Sequence, residues 1–379
     1  MSSHLVDGLG TTDALAAVFS DESVLQAILD VESALARVQG ELGVIPDNAA
    51  TAIAAAAHAD QFDAASLARE ARASATPIVP LVAAFRERVA SVDADAASFV
   101  HWGVTSQDIS DTALVMLLKR TVPLIGGTQT RLAQRLRATS DEHAGTVMAG
   151  RTLLQPATPI TFGLKVAAWY AGIQRSWRQL QEAIEAAAVV QCAGPAGTLA
   201  VLGDNGVAVR RALAGALALR DGPPWHTERG RLAVVACGCG ILTGALGKMA
   251  RDVSLLMQFE VGEASEPGGG SSSMPHKRNP AGCARALAAA VRTPGLVAAY
   301  LTGLVQEHER AVGGWQAEWP TLAALIQTTG AASEAMADVA EGLTVDRERM
   351  RRNMDAVGEP MLTSVGAADA LRRELLDTV

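Results

Sequence analysis

One run of residues restricts the possible folds of this chain more than any other feature. Residues 237–247 read Cys-Gly-Cys-Gly-Ile-Leu-Thr-Gly-Ala-Leu-Gly and lie inside a predicted helix over residues 227–261. A helix that is apolar on every face has to be buried on every side. About 30 helical residues extend over roughly 45 Å, too far for the rest of one chain of this size to enclose. The run therefore predicts a helical bundle that other copies of the chain complete.

The other long segments also follow a helical pattern. Residues 21–42 place their apolar side chains on one stripe of 3.6-residue period, after Ser20 as N-cap and before Gly43 and Pro46. No alternating strand pattern extends beyond a few residues. Further helices are predicted over residues 47–58, 63–73, 80–90, 107–143 (interrupted near Pro123), 159–190, 280–312 and 319–341. We expect an all-α fold with an N-terminal helical domain (residues 1–105), a central bundle of long helices (106–343) and a short C-terminal helical segment (344–379).

Composition and charge exclude several classes of protein. The 379 residues are 49% hydrophobic and 19% charged with a net charge of −8, which excludes a disordered chain and a disulfide-stapled miniprotein. An acidic chain without a Lys/Arg-rich tract is not expected to bind nucleic acid. The first ten residues lack a secretory signal pattern, and Gly194-Pro195 interrupts the longest charge-free stretch, residues 186–203. We therefore expect a cytoplasmic protein with no membrane segment, whose four cysteines are reduced and bind no metal.

The polar loop over residues 268–280 carries the most chemistry. It reads Gly-Gly-Gly-Ser-Ser-Ser-Met-Pro-His-Lys-Arg-Asn-Pro. The glycines form a mobile hinge, and Pro280 suits the first turn of the next helix. Such a loop can close over a substrate, exclude water and deliver a serine as an acid or base. It is not a phosphate-binding P-loop, because Arg278 follows Lys277 and no strand precedes it.

Two further polar stretches interrupt the helices. In residues 101–112, Thr105 and Asp108 have the spacing of a capping box. Capping the helix would by itself explain why these two residues are present. The two hydroxyls of Thr105 and Ser106 at a helix N-terminus also make a cradle for a carboxylate. Residues 150–159 lie before another long helix and supply a second set of polar side chains: Arg151, Thr152 and Gln155.

Together these three stretches resemble the active-site regions of the fumarase/aspartase superfamily. The pattern Gly-Ser-Ser-x-Met-Pro-x-Lys-x-Asn at residues 270–279 resembles the signature of that superfamily, and the other two stretches occur in the expected order and separation. Within the superfamily the chain is most similar to the 3-carboxy-cis,cis-muconate cycloisomerase family. The segments that carry this likeness are residues 19–22, 194–199, 224–229 and 308–315. Adenylosuccinate lyases share the Met-Pro-His-Lys form of the signature.

The resemblance implies a fold, an assembly and a reaction. It implies a central bundle of long helices that forms the core of a homotetramer, with each active site built from regions of three subunits. In the cycloisomerase family one carboxylate of the tricarboxylate 3-carboxy-cis,cis-muconate adds to the conjugated double bond. The resulting carbanion, stabilised as an aci-carboxylate, is protonated to give carboxymuconolactone during aromatic-acid breakdown. No metal or organic cofactor is implied.

The resemblance also implies roles for individual residues. By motif position Ser271 is the acid/base that exchanges the proton at carbon, and backbone N–H groups of the loop together with nearby cations must stabilise its alkoxide. Lys277 and Asn279 would bind the carboxylate that becomes the aci-carboxylate. The other predicted substrate-binding residues are Thr105 and Ser106 for a second carboxylate, Thr152 and Gln155 along the pocket, His276 in the loop, and Arg229 and Arg310 as carboxylate clamps.

Two departures from the superfamily pattern leave alternatives open. Leu153 stands where many members carry a histidine, and Pro156 stands where some cycloisomerases carry one. This loss would impair an adenylosuccinate-lyase-like β-elimination, which protonates an amine leaving group, more than a cyclisation that has no external leaving group. The segment after Asp346 is short for the C-terminal domain of the superfamily. Both departures favour the alternative that the chain is a catalytically idle structural homologue. The intact residues of the polar loop argue against that alternative.

Overall fold

The computed structural model describes residues 4–274, 276–357 and 364–377 and confirms the predicted all-α class. Pro275 of the polar loop lies outside the described residues. The helices are α1 (His4–Asp7), α2 (Asp13–Val18), α3 (Asp21–Glu41), α4 (Asp47–Ala55), α5 (Ala64–Ser74), α6 (Ile78–Ala90), α7 (Ser106–Glu142), α8 (Phe162–Ala187), α9 (Gly206–Ala216), α10 (Gly230–Met257), α11 (Ala281–Thr302), α12 (Gly314–Glu341), α13 (Arg347–Asp355) and α14 (Ala368–Asp377). The strands are β1 (Val147–Thr152), β2 (Gln155–Thr161), β3 (Ala264–Ser265) and β4 (Thr344–Val345).

Helix α3 forms as its apolar stripe predicts. The hydroxyl of Ser20 accepts a hydrogen bond from the Ser23 N–H at 3.2 Å, so one of the unpaired donors of the first turn is satisfied. Leu29 and Leu35 on the apolar stripe are fully buried, and the helix packs against α4 and α7. Helix α3 therefore joins the N-terminal helices to the long helices.

Five long helices form the central bundle: α7, α8, α10, α11 and α12. The small-residue run 237–247 lies in α10 and allows close packing. A Cβ atom on Gly247 would lie 2.7 Å from the Cβ atom of Ala290 on α11. Val234 and Ile241, two turns apart on α10, are 57% and 53% exposed. One chain therefore covers part of the apolar surface of α10 and leaves an apolar stripe open.

Helix α10 is also the one helix of the described chain that is long and apolar enough to cross a membrane, judged by length and composition. Within this fold, 61% of its most apolar window is buried. The helix packs against α8, α11 and α12. We interpret α10 as a core helix, in agreement with a protein that does not span a membrane.

The bundle has two ends that carry different parts of the candidate site. At the upper end, Asp111 near the start of α7 forms an ion pair with Arg229, directly before α10. At the lower end, Arg151 after α7 forms an ion pair with Glu263 after α10. Helices α7 and α10 therefore run in the same direction. Since α10 has 28 residues, the two ends lie about 42 Å apart.

A β-hairpin follows α7 in a stretch where the sequence shows no strand pattern. Strand β1 pairs antiparallel with β2, and the register shifts between Ala149 and Arg151. Pro156 and Pro159 lie within β2, and proline is unfavourable in a strand because it cannot donate to the ladder. These residues hide the apolar–polar alternation of a half-buried strand, so the hairpin was not predicted.

Two of the long helices, α7 and α11, differ most from the prediction. Helix α7 continues through Pro123 without interruption, because its packing against α3, α8 and α12 outweighs one lost backbone hydrogen bond. Helix α11 ends at Thr302, ten residues short of the prediction. Residues 303–313 form a loop instead, in which His308 and Gly313 have positive φ angles.

The division into residues 1–105, 106–343 and 344–379 stays a prediction. Thr105 is the N-cap of α7, and the second boundary falls between α12 and β4. Strand β4 pairs with β3, so that Val345 lies opposite Ala264. Arg372 on α14 also forms an ion pair with Asp141 near the end of α7. The C-terminal segment is therefore attached to the lower end of the bundle.

Candidate active site

Asp108 organises the start of α7 at the upper end. Its carboxylate accepts hydrogen bonds from the N–H groups of Thr105 (3.0 Å), Ala193 (3.0 Å) and Gly194 (2.8 Å). The Nε2 atom of His226 lies 2.8 Å from the same carboxylate. These partners compensate a carboxylate that is almost completely buried. Asp108 therefore holds three separate segments around the helix N-terminus.

Arg310 lies against the predicted carboxylate cradle. Its Nη1 atom donates a hydrogen bond to the Thr105 hydroxyl at 2.6 Å, and its guanidinium lies 5.9 Å from the ring centre of Trp315. Ser106, half-buried, begins α7 directly after Thr105. Within the described chain Arg310 forms no ion pair, so its remaining N–H donors are available. A guanidinium, two hydroxyls and the N-terminus of a long helix together make a site suited to a carboxylate.

The structure corrects the environment expected for Arg229. Its side chain is completely buried and donates hydrogen bonds to both carboxylate oxygens of Asp111 (2.6 and 2.9 Å) and to Glu318 (2.6 Å). Burial lowers the pKa of Arg229, and the two carboxylates outweigh that effect, so the group stays charged. With these donors occupied, Arg229 joins α7 and α12 at the start of α10. The predicted role as a substrate clamp therefore loses its structural basis.

Ser271 lies in the polar loop at the lower end, about 42 Å from Arg310 by the length of α10. Its hydroxyl oxygen accepts hydrogen bonds from the backbone N–H groups of Met274 (3.1 Å) and Ser273 (3.4 Å). These donors point at the atom that would carry negative charge if the serine lost its proton. Hydrogen bonds to an ionised acceptor are about twice as strong as neutral ones. The loop can therefore lower the cost of the Ser271 alkoxide.

Asn279 closes the neck of the polar loop. Its N–H donates to the carbonyl of Gly269 at 2.6 Å, and its Nδ2 atom lies 3.4 Å from the carbonyl oxygen of Gly270. Gly269 has a φ of +85°, and a Cβ atom there would lie 1.8 Å from the carbonyl oxygen of Asn279. Only glycine fits this position. His276 and Lys277 lie within the closed loop and are exposed to solvent in the single chain.

The β-hairpin also lies at the lower end. Thr152 and Gln155 form its last residue pair, and both are exposed. Leu153 and Leu154 form the tip with φ angles of +52° and +64°, and they are 97% and 74% exposed. A two-residue turn with both φ angles positive favours Asn-Gly, so two leucines there are strained. The hairpin thus presents Thr152 and Gln155 outward, away from the body of its own chain.

Sequence reasoning located Arg151 but missed its partners at the base of the hairpin. Arg151 donates to both oxygens of the buried Glu263 (2.6 and 2.9 Å), and Asn353 on α13 donates to the same carboxylate at 2.8 Å. A single acid at the end of an apolar helix gives no recognisable sequence signal. The C-terminal segment therefore supports the second polar stretch.

One chain does not bring all the predicted site residues together. It places Thr105, Ser106 and Arg310 at the upper end. The lower end carries Thr152, Gln155, Ser271, His276, Lys277 and Asn279. Among the residues that the structure describes, no group of three or more His, Cys, Asp or Glu side chains is arranged to hold a metal ion.

Comparison with known proteins identifies the family. The profile of a family described as Lyase matches residues 9–295. The chain is 45% identical to 3-carboxy-cis,cis-muconate cycloisomerase of Bradyrhizobium diazoefficiens, over 93% of this chain and 80% of that protein. It is 44% identical to the protein of that name from Pseudomonas aeruginosa, over 93% of this chain and 78% of the relative.

Solved structures give the same result. The crystal structure of 3-carboxy-cis,cis-muconate lactonizing enzyme from Pseudomonas putida superposes with a TM-score of 0.89 at 39% identity, covering 98% of this chain and 86% of that one. At 39% identity the similarity shows a common family as well as a common fold. The chain therefore belongs to the lyase family of the fumarase/aspartase superfamily.

Proposed function

We propose that this protein is a cofactor-independent 3-carboxy-cis,cis-muconate cycloisomerase, which forms carboxymuconolactone in the breakdown of aromatic acids. The similarity to cycloisomerases along nearly the whole chain carries this conclusion. The closed polar loop supports it, because Ser271 has backbone donors on its hydroxyl oxygen. An adenylosuccinate-lyase-like elimination and a catalytically idle homologue are not favoured by these relatives.

Ser271 supplies the proton in this reaction. A carboxylate oxygen of the substrate forms a bond to the distal carbon of a conjugated double bond, and the electron pair of that bond moves onto the carbon next to another carboxylate. The Ser271 hydroxyl transfers its proton to that carbon, which leaves an alkoxide on the serine. The N–H groups of Met274 and Ser273 stabilise this alkoxide, and a proton from solvent restores the hydroxyl.

The remaining residues bind the carboxylates of the substrate. Lys277 and Asn279 hold the carboxylate that takes up charge as the aci-carboxylate forms, and their interaction strengthens as that charge develops. Arg310 with Thr105 and Ser106 holds a second carboxylate at the N-terminus of α7. The hairpin residues Thr152 and Gln155, together with His276, line the pocket.

The active site forms between copies of the chain in a homotetramer. Thr105 and Ser271 lie at opposite ends of α10, about 42 Å apart, so one chain cannot hold both against one small substrate. The exposed apolar side chains of Val234, Ile241 and Val291 on α10 and α11 offer a surface for association. The upper end of one copy then meets the lower end of another. We place this assembly in the cytoplasm, with residues 1–105, 106–343 and 344–379 as its domains.

Incubation with 3-carboxy-cis,cis-muconate tests the function. Loss of the diene's ultraviolet absorbance should accompany formation of the lactone, identified by NMR. Ser271→Ala should lower kcat by about 10²–10⁴-fold, the usual contribution of a positioned acid or base. Ser272→Ala, in the same loop and exposed, is the matched control. An inactive parent protein that is folded and tetrameric would refute the proposal, and adenylosuccinate would be tested next.

A further inference from the structure

His101 lies in the polar stretch of residues 101–112, and the proposed mechanism does not use it. Its Nδ1 atom is 2.5 Å from a carboxylate oxygen of Glu32 on α3. The Glu32 side chain is 2% exposed and that of His101 is 13% exposed. A carboxylate buried to this extent requires a paired cation or several hydrogen-bond donors. The contact therefore pairs a buried carboxylate with the Nδ1–H group of His101, and a protonated ring gives that carboxylate a cationic partner.

The charged groups around His101 favour the protonated ring. Burial lowers the pKa of His101, but the Glu32 carboxylate, with a smaller contribution from Asp108 on α7, outweighs it and raises the pKa above 6.5. Arg86 on α6 acts in the opposite direction and is occupied by the Val100 carbonyl, to which it donates at 3.2 Å. At the start of α7, His226 contacts Asp108 and Arg310 contacts Thr105.

The backbone around His101 is held in an unfavourable conformation. His101 has a φ of +61°, which costs about 1–2 kcal/mol for a residue other than glycine. At Gly103, φ is +76° and a Cβ atom would lie 2.5 Å from Leu202. The Nε2 atom of the buried Gln39 on α3 donates to the Trp102 carbonyl at 2.8 Å. Strain of this kind persists where the surrounding structure imposes it, often at functional sites. Helix α3 thus fixes the turn that leads to Thr105.

The other ring nitrogen of His101 is available. Glu32 occupies Nδ1, while Nε2 has no hydrogen-bond partner among the described residues and is not one of their fully buried, unpaired atoms. A protonated ring in this position offers an N–H donor and a positive charge close to the start of α7. The hairpin offers no imidazole, since Leu153 and Pro156 occupy the positions discussed above.

We propose that the Nε2–H group of protonated His101 binds a substrate carboxylate beside the Thr105–Arg310 pair, and that Glu32 is the positioning residue that keeps the ring charged and oriented. This inference rests on the proposed function. A tricarboxylate substrate has three anionic groups. Lys277 with Asn279 serves one and Arg310 with Thr105 and Ser106 serves the second. His101 supplies the cation for the third.

The pH dependence of kcat/KM tests this proposal. In the parent protein, where the pKa of His101 is raised, kcat/KM should fall only as the pH rises above 6.5. In Glu32→Gln the fall should move below pH 6.5, because burial then acts on the ring without the Glu32 carboxylate, with at least a tenfold loss at pH 8 that appears mainly in KM. Lowering the pH should restore that activity progressively, as the ring takes up its proton. His101→Gln should raise KM at every pH, and no pH should restore it.

Controls separate this role from a structural one. Glu41→Gln removes an exposed acid from the same helix, and His58→Gln removes an exposed histidine. Both should retain the parent profile. A merely structural Glu32–His101 pair would lower activity equally at all pH values. An unshifted profile in Glu32→Gln, or a parent-like KM in His101→Gln, would overturn the proposal.

An NMR titration gives a readout that does not depend on catalysis. With ¹³C-labelled histidine, the His101 resonance should titrate above 6.5 in the parent protein and lower in Glu32→Gln. Tricarballylate, a stable tricarboxylate, should shift that resonance in the parent protein. If the parent protein is inactive but passes both NMR tests, the cycloisomerase function is refuted and the carboxylate-binding role of His101 is not. A His101 resonance that titrates at or below 6.5, or that tricarballylate leaves unchanged, would refute the role of His101.

Discussion

The guanidinium of Arg310 lies 2.6 Å from the hydroxyl of Thr105, although 205 residues separate them in the sequence. The contact exists because α11 ends at Thr302 and the following loop returns Arg310 to the start of α7. A cation, a hydroxyl and a helix N-terminus meet there without an acidic partner for Arg310 among the described residues.

Replacing Arg310 should weaken substrate binding. Arg310→Met removes the charge, and KM should rise about 10–100-fold, which corresponds to roughly 1.4–2.7 kcal/mol. Arg310→Lys should recover only part of the loss, because a lysine lacks the planar pair of donors that matches a carboxylate. Steady-state kinetics on the muconate measures both effects. Arg69→Met, an exposed site on α5, is the control, and an unchanged KM in Arg310→Met would contradict the assignment.

The polar loop should not tolerate a side chain at Gly269. A methyl group there would overlap the carbonyl oxygen of Asn279, and φ is positive, so Gly269→Ala should open the neck of the loop. We expect kcat to fall at least about tenfold, because Ser271 loses its position. Gly268→Ala is the matched control, since its nearest atom would lie 3.7 Å away and its φ is ordinary. Equal activity in the two variants would count against the structure of the loop.

Two impaired variants should restore activity when mixed. Ser271 and Arg310 lie at opposite ends of one chain, so a site shared between copies takes them from different chains. In hybrid tetramers of Ser271→Ala and Arg310→Met, up to about one quarter of the sites would contain both native residues. The two proteins are mixed, unfolded and refolded together, and then assayed. Activity no greater than the sum of the separate variants would exclude shared sites.

The buried ion pairs of Arg229 should dominate the stability of the upper end. Arg229→Met leaves Asp111 and Glu318 buried without a cation and should lower the free energy of unfolding by about 3–5 kcal/mol. Arg131→Met removes an exposed arginine that pairs with Asp338 and Glu341 and should have a much smaller effect. Urea unfolding measures both. Similar losses of unfolding free energy in the two variants would show that burial does not make the ion pairs of Arg229 more important for stability than the exposed pairs of Arg131.

The Glu32–His101 pair should stabilise the fold in a defined pH range. The pKa of His101 is raised in the folded state, so this stabilisation is complete below the unfolded value of about 6.5 and is lost as the pH rises through the folded value. Parent and Glu32→Gln proteins should therefore differ more in unfolding free energy at pH 6 than at pH 9.5.

His143 offers the opposite case. Burial lowers the pKa of His143 in the folded state. Its contribution to the free energy of unfolding is therefore present above about pH 6.5 and is lost as the pH falls through the folded-state pKa. Parent and His143→Gln proteins should therefore differ more in unfolding free energy at pH 9.5 than at acidic pH. A Glu32→Gln difference that grows toward high pH would contradict the proposed ion pair.

Local sequence was sufficient to predict the fold class and to locate the candidate chemistry. Helical periodicity and caps such as Ser20 act over neighbouring turns, so they are visible in the chain. The loop around Ser271 forms its hydrogen bonds within the same segment, and its glycines and Asn279 are close in sequence. For the same reason the apolar run in α10 predicts from local sequence alone that partner chains cover it.

Tertiary structure decided which charged side chains are available. Arg229 and Arg310 were equivalent candidates in the sequence, but Asp111 and Glu318 occupy the first, and the second lies against Thr105. The Glu32–His101 contact and the hairpin support at Glu263 likewise depend on segments far apart in the chain. Periodicity and motifs report neighbours along the chain, whereas the burial and pairing of a charge depend on which helices pack together in space.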